Sequence, residues 1–301
     1  MEQLTQAPKV ITFKYEEILN KNSELSERIE QAFGPNGLGL CLVEGVPEFV
    51  EKRQALLPLA SKLADLPKEQ LDKIEFPDQH YSLGWSHGKE SFKGKKDFAK
   101  GSFYAVAQED EHRPNHGDRD QEKEIDPFPK SLPELKPAFK SLGQLIINTG
   151  IKLTHHIDKY VAKKCPNYDE HKLEDIITEA DNIIGRLLHY FPQDKKSEHK
   201  DGWCGIHNDL GSLTGLCPAM YLDKDGKETT FIDEETGLYC IGRDGKHYKV
   251  KIPKNCLAFQ IGETFQIHTG GHVVATPHYV KVGDKMAGTG ICRNTLAVFM
   301  Q

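Results

Sequence analysis

The sequence predicts a mixed α+β, mainly β protein: a jelly-roll core (a double-stranded β-helix) with an N-terminal helical region packed against it. From about residue 183 onward, roughly ten short runs of alternating apolar and polar residues follow one another within about 120 residues. Turn signals such as Asp-Gly and Lys-Asn separate these runs, as in double-sheet jelly rolls. Before that point, apolar residues recur at helical spacing in longer segments.

The chain length of 301 residues is enough to bury a large core, and nothing in the sequence demands a second domain. We therefore expect a single domain over 1–301. Within it, a helix-rich part with short strands covers 1–180 and the jelly-roll part covers 181–301.

The N-terminal part is predicted to alternate strands and helices. The expected strands lie at 10–15, 37–46, 81–90 and 101–106, and the expected helices at 23–33, 47–66, a short segment from Pro67, 131–164 and 173–182. The two short strands that carry Trp85 and Phe103 form either a satellite core or one wall of a substrate cleft. The polar segment 108–126 is expected to be a mobile loop with solvated His112 and His116.

The jelly-roll part is predicted to consist of strands alone. The runs are RLLHYF, WCGIH, LTGLCPAMYL, TTFI, LYCIG, KHYKVKI, CLAFQIG, ETFQIH, VVATPHYVKV and CRNTLAVFM. An open mouth between two such sheets brings the inward residues of several strands together.

Charge and cysteine content exclude several classes of protein. The net charge of −6 gives no basic footprint for nucleic acid or for an anionic membrane. The seven cysteines are odd in number and form no CxxC pair, which argues against a disulfide framework or a zinc ribbon. No apolar run approaches the roughly 20 residues of a membrane span, and the N-terminus lacks a signal-peptide pattern. We expect a soluble, cytoplasmic protein.

The segment WCGIHNDLGSLTGL holds the first candidate site. His207 and Asp209 are two residues apart in a predicted strand, so their side chains are expected on one face, where they either chelate a divalent cation or form a hydrogen-bonded surface pair. A further histidine would complete a two-histidine, one-carboxylate set, which suits non-haem Fe(II). Cys204 lies three residues before His207 and is therefore expected on the opposite face.

A third metal ligand is expected downstream of Asp209. His278 opens a predicted strand that leads through a hairpin turn at 283–284 into the last strand, where Arg293 and Thr295 share a face. His272, in or just after a Thr-Gly-Gly turn, is the second choice, while His268 is expected to end a strand. On the predicted long helix, His155 and His156 diverge by about 100°, so they are not expected to share a metal.

The order His-x-Asp, distal His and Arg-x-Thr resembles the Fe(II)/2-oxoglutarate oxygenases, in particular the isopenicillin N synthase-like branch. Tyr190 in HYFP matches the Tyr-x-Pro of that branch, and the segments YSLGWSHGKE and KGSFYA resemble a plant-type group of unassigned substrate. Thr295 stands where the family usually has serine, and the interval from Asp209 to His278 is longer than usual, with an expected extra hairpin over 222–237.

The resemblance implies an enzyme that uses O₂ and 2-oxoglutarate to hydroxylate or otherwise oxidise a small molecule, releasing succinate and CO₂. His207, Asp209 and His278 would hold Fe(II). Arg293, Thr295 and Tyr190 would bind 2-oxoglutarate, because a guanidinium pairs bidentately with a carboxylate and the hydroxyls add hydrogen bonds.

Two alternatives stay open. One is an Fe(II) oxidase of the isopenicillin N synthase type that does not use 2-oxoglutarate. The other is a jelly-roll sensor that binds a metal without catalysis. Many relatives continue past the arginine strand into a helix that covers the site, whereas this sequence stops at Gln301, so we expect the cover to be either missing or supplied by another segment.

Overall fold

The computed structural model describes residues 9–92, 95–114, 125–193 and 203–301. The helices are α1 (Tyr15–Leu19), α2 (Ser26–Phe33), α3 (Phe49–Ala64), α4 (Lys68–Leu71), α5 (Leu135–Lys164), α6 (Lys172–Thr178) and α7 (Glu263–His268). The strands of the N-terminal part are β1 (Ile11–Lys14), β2 (Leu40–Glu44), β3 (Gly84–His87), β4 (Ser91–Phe92), β5 (Lys95–Lys96) and β6 (Lys100–Val106). The later strands are β7 (Ile184–Tyr190), β8 (Cys204–His207), β9 (Leu213–Leu216), β10 (Met220–Leu222), β11 (Gly237–Ile241), β12 (His247–Val250), β13 (Cys256–Ile261), β14 (His278–Lys281) and β15 (Cys292–Met300).

Two sheets form the centre of the molecule. The large sheet has the order β1-β2-β13-β9-β15-β7-β6-β3, with β10 also paired to β15, and the small sheet has the order β12-β11-β14-β8. Apart from the parallel pair β1 and β2, the paired strands of both sheets run antiparallel. The predicted mixed, mainly β fold with two packed sheets is confirmed. Strands from before residue 181 extend the large sheet, and the single-domain organisation stays a prediction.

The large sheet is covered on its outer face by α5. Along β15 the side chains alternate, so Leu296 and Val298 join the core beneath the helices while Ala297 faces the small sheet. Gly215 in β9 allows the close approach of α5, because a Cβ atom there would lie 2.2 Å from Ile146 Cγ2. The helix therefore braces the sheet behind the strands that line the space between the sheets.

Three predictions about the jelly-roll part are wrong. The run ETFQIH is the helix α7 rather than a strand, so His268 ends a helix. The run TTFI forms no strand, although Leu222 and Glu228 make an isolated bridge near the expected extra hairpin. The turn after β14 is a single 3₁₀ turn over Asp284–Met286 that carries the chain from the small sheet to the large one, so β14 and β15 are not a hairpin.

The polar segment 108–126 is described only in part. Residues 115–124, and with them His116, lie outside the described residues. His112 ends a short 3₁₀ turn with a half-exposed side chain, 3.2 Å from a Glu109 carboxylate oxygen. Among the described helices, none has the length and apolar character needed to cross a membrane.

Candidate metal centre

His207, Asp209 and His278 lie together at the mouth between the two sheets. One ligand atom from each lies within 4.8 Å of the other two. Nε2 of His207 is 3.7 Å from Asp209 Oδ1, and Nε2 of His278 is 3.8 Å from the same oxygen. The two histidines face each other on neighbouring antiparallel strands, since His278 at the start of β14 pairs with His207 at the end of β8. Three side chains so arranged leave one face open for exogenous ligands.

Asp209 reaches this cluster from outside the strand. β8 ends at His207, so the prediction that both residues lie in one strand is wrong. Asn208 follows the strand, and its side-chain amide donates to the Glu263 carboxylate at 2.8 Å, while the Glu263 backbone N–H donates to the Asp209 carbonyl at 2.8 Å. Helix α7, which begins at Glu263, therefore fixes the segment that carries Asp209.

His272 and His268 do not belong to the cluster. His268 ends α7, and the backbone N–H of His272 donates to the Thr269 carbonyl in the turn that follows. The preference for His278 over His272 thus agrees with the side chains that the structure brings together.

Both histidines of the cluster turn Nε2 toward Asp209 because their other ring nitrogen is engaged. Nδ1–H of His207 donates to the Gly205 carbonyl at 2.8 Å. Nδ1 of His278 lies 2.5 Å from the side-chain amide of the fully buried Gln260. An amide can be flipped, and with its oxygen toward the ring it accepts the Nδ1–H that a metal-bound imidazole must carry. Gln260, on β13, had no signal in the sequence that linked it to the site.

Burial lowers the pKa of His278, which keeps its imidazole neutral and able to coordinate a cation. His207 behaves differently, because a hydrogen bond with Cys204 raises its pKa to about 9. Burial alone would raise the pKa of the Cys204 thiol, but His207 and the cations Lys100 and Arg186 lower it overall.

The position of Cys204 corrects the prediction that it faces away. Its Sγ atom lies 3.9 Å from Nδ1 of His207, and it lines the same cavity. The cause is an irregularity in the pairing of β8 with β14, where His207 pairs with His278 but Cys204 pairs with Val280. Three residues of β8 thus span two of β14, as in a β-bulge, and side chains three apart come to the same face. A thiol therefore stands beside the candidate ligands.

A cavity that is open to solvent extends from the cluster between the sheets. Its wall includes Arg293 and Thr295 from β15 and Tyr190 from β7, the three residues that the resemblance assigns to 2-oxoglutarate. Arg293 pairs with Tyr190 across the strands, and its guanidinium carbon lies 4.7 Å from the centre of the Tyr190 ring. The ring thus supports the guanidinium within the cavity wall.

Arg293 is a buried cation with unused donors. Only 7% of the residue is exposed, and its Nε and Nη1 atoms have no hydrogen-bond partner in the described part of the chain. Two buried guanidinium nitrogen atoms without acceptors are costly, which indicates a place for an anionic ligand beside the guanidinium. Thr295 is already engaged, since its hydroxyl donates to the Cys217 carbonyl at 2.8 Å. Its oxygen keeps acceptor capacity, but its proton is already donated to that carbonyl.

Two further groups of possible metal ligands occur among the described residues. One comprises Glu109, Glu111 and His112 on the largely exposed polar segment. The other comprises His155, His171 and Glu174, where the Glu174 carboxylate already pairs with Lys21 and with His155. His156 instead reaches the Ile18 carbonyl at 3.0 Å, so the two adjacent histidines have different partners, as expected.

Two solved structures are similar in fold to this chain. A full-length Neurospora crassa protein, crystallised in complex with alpha-KG, is 18% identical, with 100% of this chain and 88% of that chain covered and a TM-score of 0.71. A putative 2OG-Fe(II) oxygenase family protein from Caulobacter crescentus is 20% identical, with 98% and 87% covered and a TM-score of 0.71. This chain has the fold of the 2OG-Fe(II) oxygenases.

Further structures share this oxygenase fold. A dioxygenase for auxin oxidation from rice is 14% identical, with 97% of this chain and 83% of that chain covered and a TM-score of 0.61. No protein-family model and no curated protein matches the sequence. The resemblance drawn from the sequence is confirmed for the jelly-roll fold, and the plant-type group stays a prediction.

Proposed function

We propose that this chain is an Fe(II)- and 2-oxoglutarate-dependent oxygenase that oxidises a small organic molecule with O₂ and releases succinate and CO₂. His207, Asp209 and His278 hold the iron. Arg293 binds the distal carboxylate of 2-oxoglutarate, with Tyr190 beneath its guanidinium.

The observation that carries the proposal is the unpaired, buried guanidinium of Arg293. A buried guanidinium whose Nε and Nη1 atoms have no partner in the described part of the chain matches one chemical partner best, namely a carboxylate, which pairs with arginine in a planar geometry. The cavity that contains it opens onto the His207, Asp209 and His278 cluster. A 2-keto acid has both features that this arrangement requires: a keto-carboxylate end that chelates a metal, and a distal carboxylate.

The donor set fits the metal. Two imidazoles and one carboxylate on one side, with open positions on the other, are typical of non-haem Fe(II) sites. Iron with 2-oxoglutarate supplies the activation of O₂ in this chemistry. The chain's own residues orient the site: Gly205 holds the His207 ring, Gln260 holds the His278 ring, and α7 fixes Asp209.

The neighbours in fold support the reaction class without naming the substrate. The Neurospora crassa protein was crystallised with alpha-KG and with thymine, and JOX2 with 2OG, Fe and JA. JOX2 is 17% identical, with 96% of this chain and 74% of that chain covered and a TM-score of 0.65. Each of these structures holds a small molecule, and the cavity of this chain lies beside the candidate metal ligands and is lined mainly by apolar side chains, as such sites are. We accordingly propose a small-molecule substrate and no nucleic-acid or membrane partner.

The experiment is an anaerobic titration of the Fe(II)-loaded protein with 2-oxoglutarate, followed by measurement of succinate after O₂ is admitted. We expect one iron per chain, a metal-to-keto-acid charge-transfer band that saturates with one equivalent, and slow succinate release without added substrate. Asp209→Ala should lose the iron and the band, because no other carboxylate joins the cluster among the described residues. His272→Gln is the matched control and should retain both.

The alternatives predict other results. Iron retained without any 2-oxoglutarate band would favour the oxidase of the isopenicillin N synthase type. A redox-inert metal bound in place of iron, with no O₂ consumption, would favour the sensor. Iron retained in Asp209→Ala would contradict the ligand assignment itself.

A further inference from the structure

A second arginine, Arg186, lies in the wall of the same cavity. It is on β7, where it pairs with Ala297 of β15, whereas Tyr190 pairs with Arg293. Four residues of strand separate the two positions, which corresponds to about 13 Å along the sheet. One cavity therefore contains two arginines at separate positions along the sheet.

The Arg186 guanidinium is fixed along one edge. Its Nε donates to Ser102 Oγ at 3.0 Å, and its Nη2 donates to Ser102 Oγ at 2.8 Å and to Glu90 Oε1 at 2.5 Å. The Tyr104 hydroxyl also donates to Glu90 Oε1, at 3.0 Å, and the Tyr104 ring centre is 5.1 Å from the guanidinium carbon. Glu90, Ser102 and Tyr104 come from the segments GWSHGKE and KGSFYA. These segments therefore form a support behind one wall of the cavity.

The fixed edge leaves Nη1 without a hydrogen bond in the described part of the chain, although Arg186 is otherwise held rigidly. Unlike Nε and Nη1 of Arg293, this atom is not among the fully buried atoms without a partner, so it keeps access to open space. A guanidinium that presents one free NH₂ group to a cavity can donate to a ligand oxygen without rearrangement.

The charge around Arg186 is already balanced. Lys100 Nζ lies 2.5 Å from Asp97 Oδ2 and 3.1 Å from Glu90 Oε2, so two cations and two carboxylates form one network. A further carboxylate at Nη1 would be taken from water into a neutral surrounding, where little attraction offsets the loss of its hydration. A neutral acceptor such as a carbonyl oxygen loses far less on leaving water, and a charged donor makes a strong hydrogen bond to it.

The rest of this region of the wall is mainly apolar, with Leu188, Leu216, Ala297 and Phe299 near Arg186 along β7, β9 and β15. Resting on the proposed function, we infer that Arg186 is a substrate-binding residue whose free NH₂ group donates to a neutral oxygen acceptor, a ketone or amide carbonyl, on a largely apolar prime substrate. The class of substrate is therefore an uncharged carbonyl compound rather than an organic acid.

The test uses three probes of nearly equal shape: acetophenone, ethylbenzene and benzoate. Their affinities are measured calorimetrically on the protein loaded with Fe(II) and 2-oxoglutarate under anaerobic conditions. We expect acetophenone to bind about tenfold more tightly than either ethylbenzene, which lacks the acceptor, or benzoate, which adds a charge. Arg186→Met should reduce the acetophenone affinity about tenfold, to that of ethylbenzene.

Arg186→Lys is the second variant, because the single ammonium group of lysine can keep the ion pair with Glu90 but then has no second nitrogen to present to a ligand in the cavity. It should lose the preference for acetophenone equally, while both variants keep the wild-type affinity for 2-oxoglutarate, which also reports that they are folded. Tighter binding of benzoate, no preference for acetophenone in the wild type, or an unchanged preference in both variants would overturn the inference and leave the proposed function standing. Failure of the wild type to bind 2-oxoglutarate would instead overturn the proposed function.

Discussion

Replacing Arg293 by leucine separates the role of this residue in ligand binding from any role in folding. Bound 2-oxoglutarate would place its distal carboxylate against the Arg293 guanidinium, whose Nε and Nη1 atoms have no partner in the described part of the chain. Truncation of one member of such a buried, charged pair costs about 2–5 kcal/mol. At about 1.4 kcal/mol per tenfold change, the dissociation constant for 2-oxoglutarate should rise at least about 30-fold.

Although Arg293→Leu should weaken 2-oxoglutarate binding, it should not destabilise the ligand-free protein. Leucine removes two buried guanidinium nitrogen atoms that have no acceptor among the described residues, each of which costs about 1–3 kcal/mol in the folded state. It also removes the contact of the guanidinium with Tyr190, worth about 0.5–2 kcal/mol. The first effect is the larger one, so the free energy of unfolding of ligand-free Arg293→Leu should equal or exceed that of the wild type. A residue kept for fold stability alone would show the opposite.

The assay is the anaerobic titration of Fe(II)-loaded protein with 2-oxoglutarate, combined with urea denaturation of the ligand-free protein. Arg293→Lys should recover only part of the affinity, because an ammonium keeps the charge and loses the two-pronged geometry. Arg186→Met is the matched control, since it removes the other arginine of the same cavity and should leave 2-oxoglutarate binding unchanged. Unchanged affinity in Arg293→Leu, or a larger loss in Arg186→Met, would refute the assignment of Arg293.

Three further predictions concern the metal ligands and the buried histidines. His278→Gln should lose Fe(II) in a metal analysis after desalting, while His272→Gln retains it, and the reverse result would transfer the ligand role to His272. Gln260→Leu should weaken Fe(II) binding about 10–100-fold in an anaerobic titration, because His278 Nδ1 loses its nearest partner and keeps only the Thr276 carbonyl at 3.3 Å, and Gln260→Glu should restore binding; equal affinities in all three proteins would contradict this role. Burial lowers the pKa of His156, so the folded protein binds fewer protons there than the unfolded chain, whose histidine pKa is about 6.5, and the free energy of unfolding should decrease as the pH falls below that value. Urea denaturation at pH 8 and pH 5.5 should show a smaller loss of stability for His156→Gln than for the wild type. An equal loss in both proteins would exclude His156 as a cause of the pH dependence.

Much of the fold and the order of the candidate ligands could be predicted from the sequence, because both depend on local patterns. Alternating runs identify strands, and His207, Asp209 and His278 follow an order that the fold brings together. The run ETFQIH shows the limit of this reasoning. Its alternation fits a strand, but Gly262 and the turn that contains Asp209 start a helix there, with the Glu263 N–H donating to the Asp209 carbonyl.

The environment of the ligands depends on pairing between distant strands and could not be predicted in the same way. A period of two places Cys204 opposite His207, but the bulged pairing of β8 with β14 turns both toward the cavity. Gln260 lies on a strand of the other sheet, fully buried, and only the approach of β14 makes it a partner of His278. Arg186 has no signal in the sequence that links it to the site, because its orientation depends on hydrogen bonds to Ser102 and Glu90 from the segments at 100–104 and 84–90.

The charges of the proposed holoenzyme connect the roles of the two arginines. Fe(II) carries two positive charges and Arg293 one, while Asp209 contributes one negative charge and 2-oxoglutarate two, so the occupied centre is neutral as a whole. Arg186 and Lys100 are balanced separately by Glu90 and Asp97. A cavity that is neutral at both ends favours an uncharged substrate, since an acid would bring an uncompensated charge out of water. An organic acid would be accommodated only if one of the carboxylates already present lost its charge. Glu90→Gln removes the charge of the carboxylate that pairs with Arg186. That substitution should therefore shift the preference of Arg186 from acetophenone toward benzoate in the same calorimetric assay, and an unshifted preference would show that the charge balance around Arg186 does not set the substrate class.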